Sequence, residues 1–115
     1  MTKLDEFTRA YITAALWAET GSDDEPLDDN YTVHDINAET LARMVEDCRD
    51  FQAKYGELIQ GMEAQAGHDF WLTRRGHGCG FWDGDWAELG DELTKAAESY
   101  GDMELDDYEG VVYAI

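Results

Sequence analysis

Residues 67–86 read Gly67-His68-Asp69-Phe70-Trp71-Leu72-Thr73-Arg74-Arg75-Gly76-His77-Gly78-Cys79-Gly80-Phe81-Trp82-Asp83-Gly84-Asp85-Trp86, and the folding of this stretch decides the architecture. It holds three of the four tryptophans, two of the three histidines and the only adjacent pair of basic residues. Two apolar pieces, Phe70-Trp71-Leu72 and Phe81-Trp82, flank a glycine-rich centre. Short aromatic runs on either side of a turn-forming segment predict a β-hairpin. The glycines would supply the positive φ angles of a tight, twisted turn.

On the N-terminal side, Leu4, Phe7, Tyr11, Ala14, Ala15 and Ala18 recur at helical spacing, with Leu16 and Trp17 widening the stripe, which predicts a first helix over residues 2–20. Residues 22–35 hold six acids, no base and the sole proline, so a connecting loop is expected there, pinned to the body by Leu27, Tyr31, Val33 and Ile36. Leu41, Met44, Val45, Cys48, Phe51, Tyr55, Leu58, Ile59 and Met62 mark a second helix, capped by Asn37 or Asp35 and ending near Gly61 or Ala66. Cys48 falls inside that stripe and reads as a packing residue.

On the C-terminal side, Trp86, Leu89, Leu93, Ala96, Ala97 and Tyr100 restore the helical period over residues 85–100, and Gly101 stands where a helix-ending glycine belongs. Residues 103–105 and 111–113 read as two short strands around Asp-Asp-Tyr-Glu-Gly, the last placed to pair with the central hairpin. The expected fold class is α+β: three helices packed on a small antiparallel sheet, order ααββαββ, in one domain over residues 1–115.

The charge balance narrows the function classes. There are 27 Asp and Glu against 8 Lys and Arg, a net charge of −19 on 115 residues. With 43% apolar and 12% aromatic residues the chain has the material for a core, so it is not a disordered acidic tail. An acidic surface is repelled by phosphates and anionic headgroups, which disfavours direct nucleic-acid or membrane binding. No apolar run approaches the roughly 20 residues needed to span a bilayer. The two cysteines, Cys48 and Cys79, have no CxxC spacing, and no apolar signal segment opens the sequence. A reducing cytoplasm is the expected setting.

Three constellations carry possible chemistry. His68, Asp69, His77, Cys79 and Asp83 include the residue types that bind zinc, though in no known zinc spacing; hydrogen bonding within the turn is the plainer role. Arg74 and Arg75 with Gly76, Gly78 and Gly80 suggest an anion-binding nest, but no P-loop spacing is present, and pairing of the arginines with carboxylates such as Asp83 or Asp85 serves as well. Trp71, Phe81, Trp82 and Trp86 are dense enough to form a core or, in part, an exposed contact platform. No nucleophile elbow, HExxH or dinucleotide fingerprint is present, so no enzyme, cofactor or metal is expected.

Between residues 83 and 109 there are eleven acids against the single Lys95. Asp85, Glu88, Asp91, Glu92 and Glu98 lie opposite the apolar stripe of the third helix, and Asp23, Asp24, Asp28 and Asp29 form a second acidic group in the loop. Helix neighbours three or four apart hold side chains roughly 5–6 Å from one another, comparable with phosphate spacing along nucleic acid. Such faces could occupy a basic groove; a merely solvated acidic surface is the alternative.

The stretch His68 to Asp83 resembles the HDFWLTRNGHGAGFWD signature of a group of small proteins encoded by bacteriophages and prophages. Residues Tyr11-Ile12, Ala15-Leu16-Trp17, Glu25 to Tyr31, Leu41-Ala42-Arg43, Asp47-Cys48 and Phe51-Gln52 are similar to that group's N-terminal half. The chain departs from the group at Arg75, usually Asn, and at Cys79, usually a small residue, and its C-terminal turn lacks the group's Tyr-Val-Gly-Asp-Asp-Gly order.

The resemblance implies a phage origin and names no activity. Combined with the charge, it gives the expectation of an accessory protein in the host cytoplasm. Its acidic faces, built on Asp85, Glu88, Asp91, Glu92, Glu98, Asp23, Asp24, Asp28 and Asp29, would mimic DNA toward a basic host partner. The alternatives are a small-ligand or metal-binding hairpin around His68, Arg74, Arg75, His77 and Trp82, or an assembly-associated structural protein that self-associates through its aromatics.

Overall fold

Asp5 starts the first helix: in extended conformation, its carboxylate accepts the Thr8 N–H at 2.8 Å. That satisfies a backbone donor with no partner inside the helix. A computed structural model describes residues 4–20, 24–76, 80–81 and 86–115. The helix, α1, spans Glu6–Ala18; α2 spans Ala38–Tyr55, α3 Glu63–Arg75 and α4 Gly90–Glu98. Two strands, β1 (Leu105–Tyr108) and β2 (Val111–Ala114), form an antiparallel hairpin. The fold is α+β, with four helices and one two-stranded sheet among the described residues.

The central segment corrects the expected order. Phe70-Trp71-Leu72 lies in the middle of α3, not in a strand, and α3 continues to Gly76, whose φ of 73° ends it in a left-handed cap. From Ala66 to Arg74 every residue except His68 is buried. A helix enclosed on nearly all sides needs no polar face, so its period is erased from the sequence. Of the expected second strand, Phe81 is buried, its N–H donating to Thr73 Oγ1 at 3.0 Å; His77, Cys79, Trp82 and Asp83 lie outside the described residues.

The dominant packing is helix on helix and not helix on sheet. Phe7 meets Phe70, Tyr11 meets Phe70 and Trp71, and Glu19 meets Arg75, so contacts advance in the same sense and α1 and α3 run parallel. The backbones touch at Gly67, where a Cβ would lie 2.1 Å from the Phe7 carbonyl oxygen. Phe51 of α2 closes the core, with ring centroids 4.5 Å from Phe70, 5.6 Å from Phe7 and 5.7 Å from Phe81. Cys48 is fully buried beside it, a packing residue as expected, and burial pushes its thiol well above the usual range.

The Asn37 side chain caps α2 by accepting the Thr40 N–H at 2.8 Å, and the helix stops at Gly56, earlier than the expected Gly61 or Ala66. The acidic loop is pinned as anticipated: Leu27 and Ile36 are buried, and Tyr31 and Val33 pack against the core. Leu16 is buried, but Trp17 is 59% exposed and does not join the core stripe.

The C-terminal hairpin turns through Glu109 and Gly110, both at positive φ (50° and 83°), the geometry that two-residue hairpin turns require. Its β2 strand pairs with Ile36 through Val112, whose carbonyl accepts the Asn37 N–H at 2.8 Å. Among the described residues the last strand is therefore docked on the approach to α2, and the segment expected to form the first arm of a central hairpin is helix α3.

Candidate acidic interface

Leu93, Ala96 and Ala97 turn α4 inward, which leaves Asp91, Glu92 and Glu98 exposed on the opposite face; Glu88, in the 3-10 turn Ala87–Leu89 just before it, is exposed too. The exposure expected of these four is observed, although the helix begins at Gly90 and Glu88 precedes it; Asp85 lies outside the described residues. Glu88 stands three and four residues from Asp91 and Glu92, which makes those like charges neighbours, whereas Glu98 is three residues from Lys95, the one base on the helix. Among the described residues, none of the four forms an ion pair.

The second acidic group stands on a different support. Asp28 and Asp29 are exposed on the 3-10 turn Leu27–Asp29, which packs against α1, and Asp24 is exposed at a positive φ of 64°. Asp23 lies outside the described residues. α4 packs on α3 and α2, so the two groups hang from different helices.

Of the eight bases, two adjacent ones are engaged by carboxylates, Arg74 in the interior and Arg75 half-buried at its edge. Arg74 is buried: its Nη1 donates to Asp47 Oδ2 at 2.8 Å and to Tyr11 Oη at 3.0 Å, its Nε to the Gly101 carbonyl at 2.9 Å and its Nη2 to the Tyr100 carbonyl at 3.1 Å. The guanidinium also sits over the Phe70 and Tyr100 rings. Arg75 Nε donates to both carboxylate oxygens of buried Glu19, and its Nη1 to both of Asp102. The carboxylate partners anticipated for these arginines exist, but they are Asp47, Glu19 and Asp102; Asp83 and Asp85 lie outside the described residues.

Of the alternative ligand site, His77 and Trp82 lie outside the described residues. His68 and Arg74 share α3 but are six residues apart, Arg74 pointing into the core and His68 lying half-buried at the surface. Among the described residues, no group of three or more His, Cys, Asp or Glu side chains is placed to hold a metal ion. Asp69, one of the residues weighed as a ligand, is instead a buried hydrogen-bond hub. Its Oδ2 accepts Trp86 Nε1 at 2.7 Å and Gln65 Nε2 at 2.9 Å, and its Oδ1 lies 3.0 Å from His68 Nδ1. Trp71 and Trp86 are core residues, as the denser reading of the aromatics predicted.

Sequence reasoning missed the Asp47, Glu19 and Asp102 partners, the Asp69 hub and the exposed Trp17. One signal pointed to the first: adjacent arginines inside the most apolar stretch of a strongly acidic chain need buried carboxylates. Compared with known proteins, the chain matches no family model, no curated protein and no solved structure. Among the described residues, no helix is long and apolar enough to cross a membrane.

Proposed function

We propose that this chain is a phage accessory protein that acts by binding, an acidic DNA-mimic-like inhibitor of a basic host nucleic-acid-binding or defence protein in the host cytoplasm. The observation that carries the reading is the exposed set Glu88, Asp91, Glu92 and Glu98, none of which is in an ion pair among the described residues. Carboxylates that stabilised the fold would be paired, as Asp47 and Glu19 are. Glu88, Asp91 and Glu92 stand close enough to repel one another, and none of the four has an ion pair among the described residues to offset its charge. A basic groove would supply the missing cations, speed association and make it salt-sensitive.

The tagged protein, passed through bacterial lysate, is expected to retain a basic nucleic-acid-binding protein at low salt. Duplex DNA, or roughly 0.5 M salt, should release it, because screening shortens the reach of exposed charges. Retention that survives both treatments would overturn the reading.

A further inference from the structure

A groove of about 660 Å³ runs between α1 and α3, and it differs in character from the acidic faces. Its floor includes Ala10, Ala14 and Ala64, small side chains that let a guest approach the backbone. At one end stand Trp17 and His68, ring centroids 6.4 Å apart and tilted by 35°. Trp17 is the most exposed tryptophan among the described residues, and an indole left in water at the mouth of a groove is the kind of anchor that binding surfaces use.

The polar lining is held in place from behind. Gln65 and His68 both bond the Asp69 carboxylate, which is 2% exposed and further fixed by Trp86. When neutral His68 donates its Nδ1–H to Asp69, Nε2 keeps its lone pair and serves as an acceptor. Glu6 and Arg9, three apart on α1, offset each other in the lining, and the Asp69 carboxylate lies directly behind Gln65 and His68, adding negative charge beneath the groove. A flat aromatic face, a fixed acceptor and a negative charge together suit a planar cation that stacks and donates hydrogen bonds. Guanidinium has that combination and ammonium lacks it. The same chemistry already operates inside the protein, where Arg74 lies over Phe70 and Tyr100 while donating to oxygens on four residues.

We propose that the α1/α3 groove receives an arginine side chain of the basic partner, stacked on Trp17 and donating to His68 Nε2. This rests on the binding function proposed above and adds a second, residue-specific contact to the diffuse attraction of the acids. The net charge of −19 favours a cationic guest over a phosphate or a second copy of this chain.

The test is an NMR titration of the isotope-labelled protein with N-acetyl-arginine amide, and with N-acetyl-lysine amide as control. Arginine is expected to shift the Trp17 indole and the Gln65 and His68 signals saturably, with a dissociation constant on the order of 1 mM for so small a ligand. Trp17→Ala and His68→Ala should each weaken this about fivefold or more, and both side chains are exposed enough for the fold to survive. A variant with Glu88, Asp91, Glu92 and Glu98 changed to their amides should bind arginine amide as before, so failure of the groove and failure of the acidic interface are separable. Equal shifts with lysine, shifts confined to α4, or shifts that persist in Trp17→Ala would overturn the assignment.

Discussion

Gly67 of α3 lies so close to Phe7 of α1 that a Cβ on it would stand 2.1 Å from the Phe7 carbonyl oxygen and 2.9 Å from its carbonyl carbon. Both are backbone atoms and cannot swing aside. Helix propensity alone favours Gly67→Ala by about 1 kcal/mol. Overpacking against backbone costs about 3 kcal/mol or more at a contact this tight. Denaturant unfolding is therefore expected to show a net loss of about 2 kcal/mol or more; a stabilised Gly67→Ala would mean that the two helices are not in this contact.

The acidic chain builds its interior around Arg74. Replacing it with methionine leaves Asp47, Tyr11 and the carbonyls of Tyr100 and Gly101 without their donor, and should cost about 3 kcal/mol. Arg74→Lys should cost nearly as much, because an ammonium cannot reach four separate acceptors from one plane. Chemical denaturation of the two variants checks this; a lysine variant as stable as the parent would contradict the geometry.

These two residues also show what the sequence could and could not reveal. The α4 acids, buried Cys48, the pinned 22–35 loop and the C-terminal hairpin were legible because each follows from local period or turn chemistry. α3 was not: Gly67, placed at the start of an expected hairpin segment, is where two backbones meet, and burial on almost every side removed the alternation that marks a helix. The Arg74 to Asp47 bond spans 27 residues, and no local pattern encodes such a pairing. Trp17 sits at the edge of the apolar stripe of α1, where a small helix rotation decides between core and solvent.

Tyr100 donates its hydroxyl to Asp50 Oδ2 at 2.5 Å, and Lys54 lies 3.2 Å from the same oxygen. The Tyr100 bond, then Lys54, holds the Asp50 carboxyl below its ordinary 3.8, whereas desolvation, then the Asp50 bond and charge, pushes the Tyr100 phenol up. A lowered carboxyl contributes stability above about pH 3.8 and loses it as pH falls through the folded value. A raised phenol contributes below about pH 10.0 and loses it as pH rises through the folded value. Asp50→Asn should therefore lose stability near neutrality yet converge with the parent in strong acid, measured by thermal unfolding across pH. In an alkaline absorbance titration Tyr100, and Tyr11, whose phenol is raised chiefly by burial, should ionise above the ordinary phenol value of 10.0. Ionisation of Tyr100 and Tyr11 at the ordinary phenol value would contradict both placements.

If the α4 acids serve binding and not folding, neutralising them relieves repulsion. The variant Glu88→Gln, Asp91→Asn, Glu92→Gln, Glu98→Gln should be as stable as the parent or more so. Added salt should raise the parent's Tm more than the variant's. A destabilised variant would show that these carboxylates support the fold.

DNA mimicry is tested most directly by displacement. Once the retained basic protein is identified, its complex with a labelled DNA duplex is titrated with the parent and with the four-acid variant, and fluorescence anisotropy follows the release of DNA. The parent is expected to displace the duplex, with the variant weaker by about tenfold or more at low salt. DNA that stays bound at saturating parent protein, or is released equally well by the variant, would contradict the account.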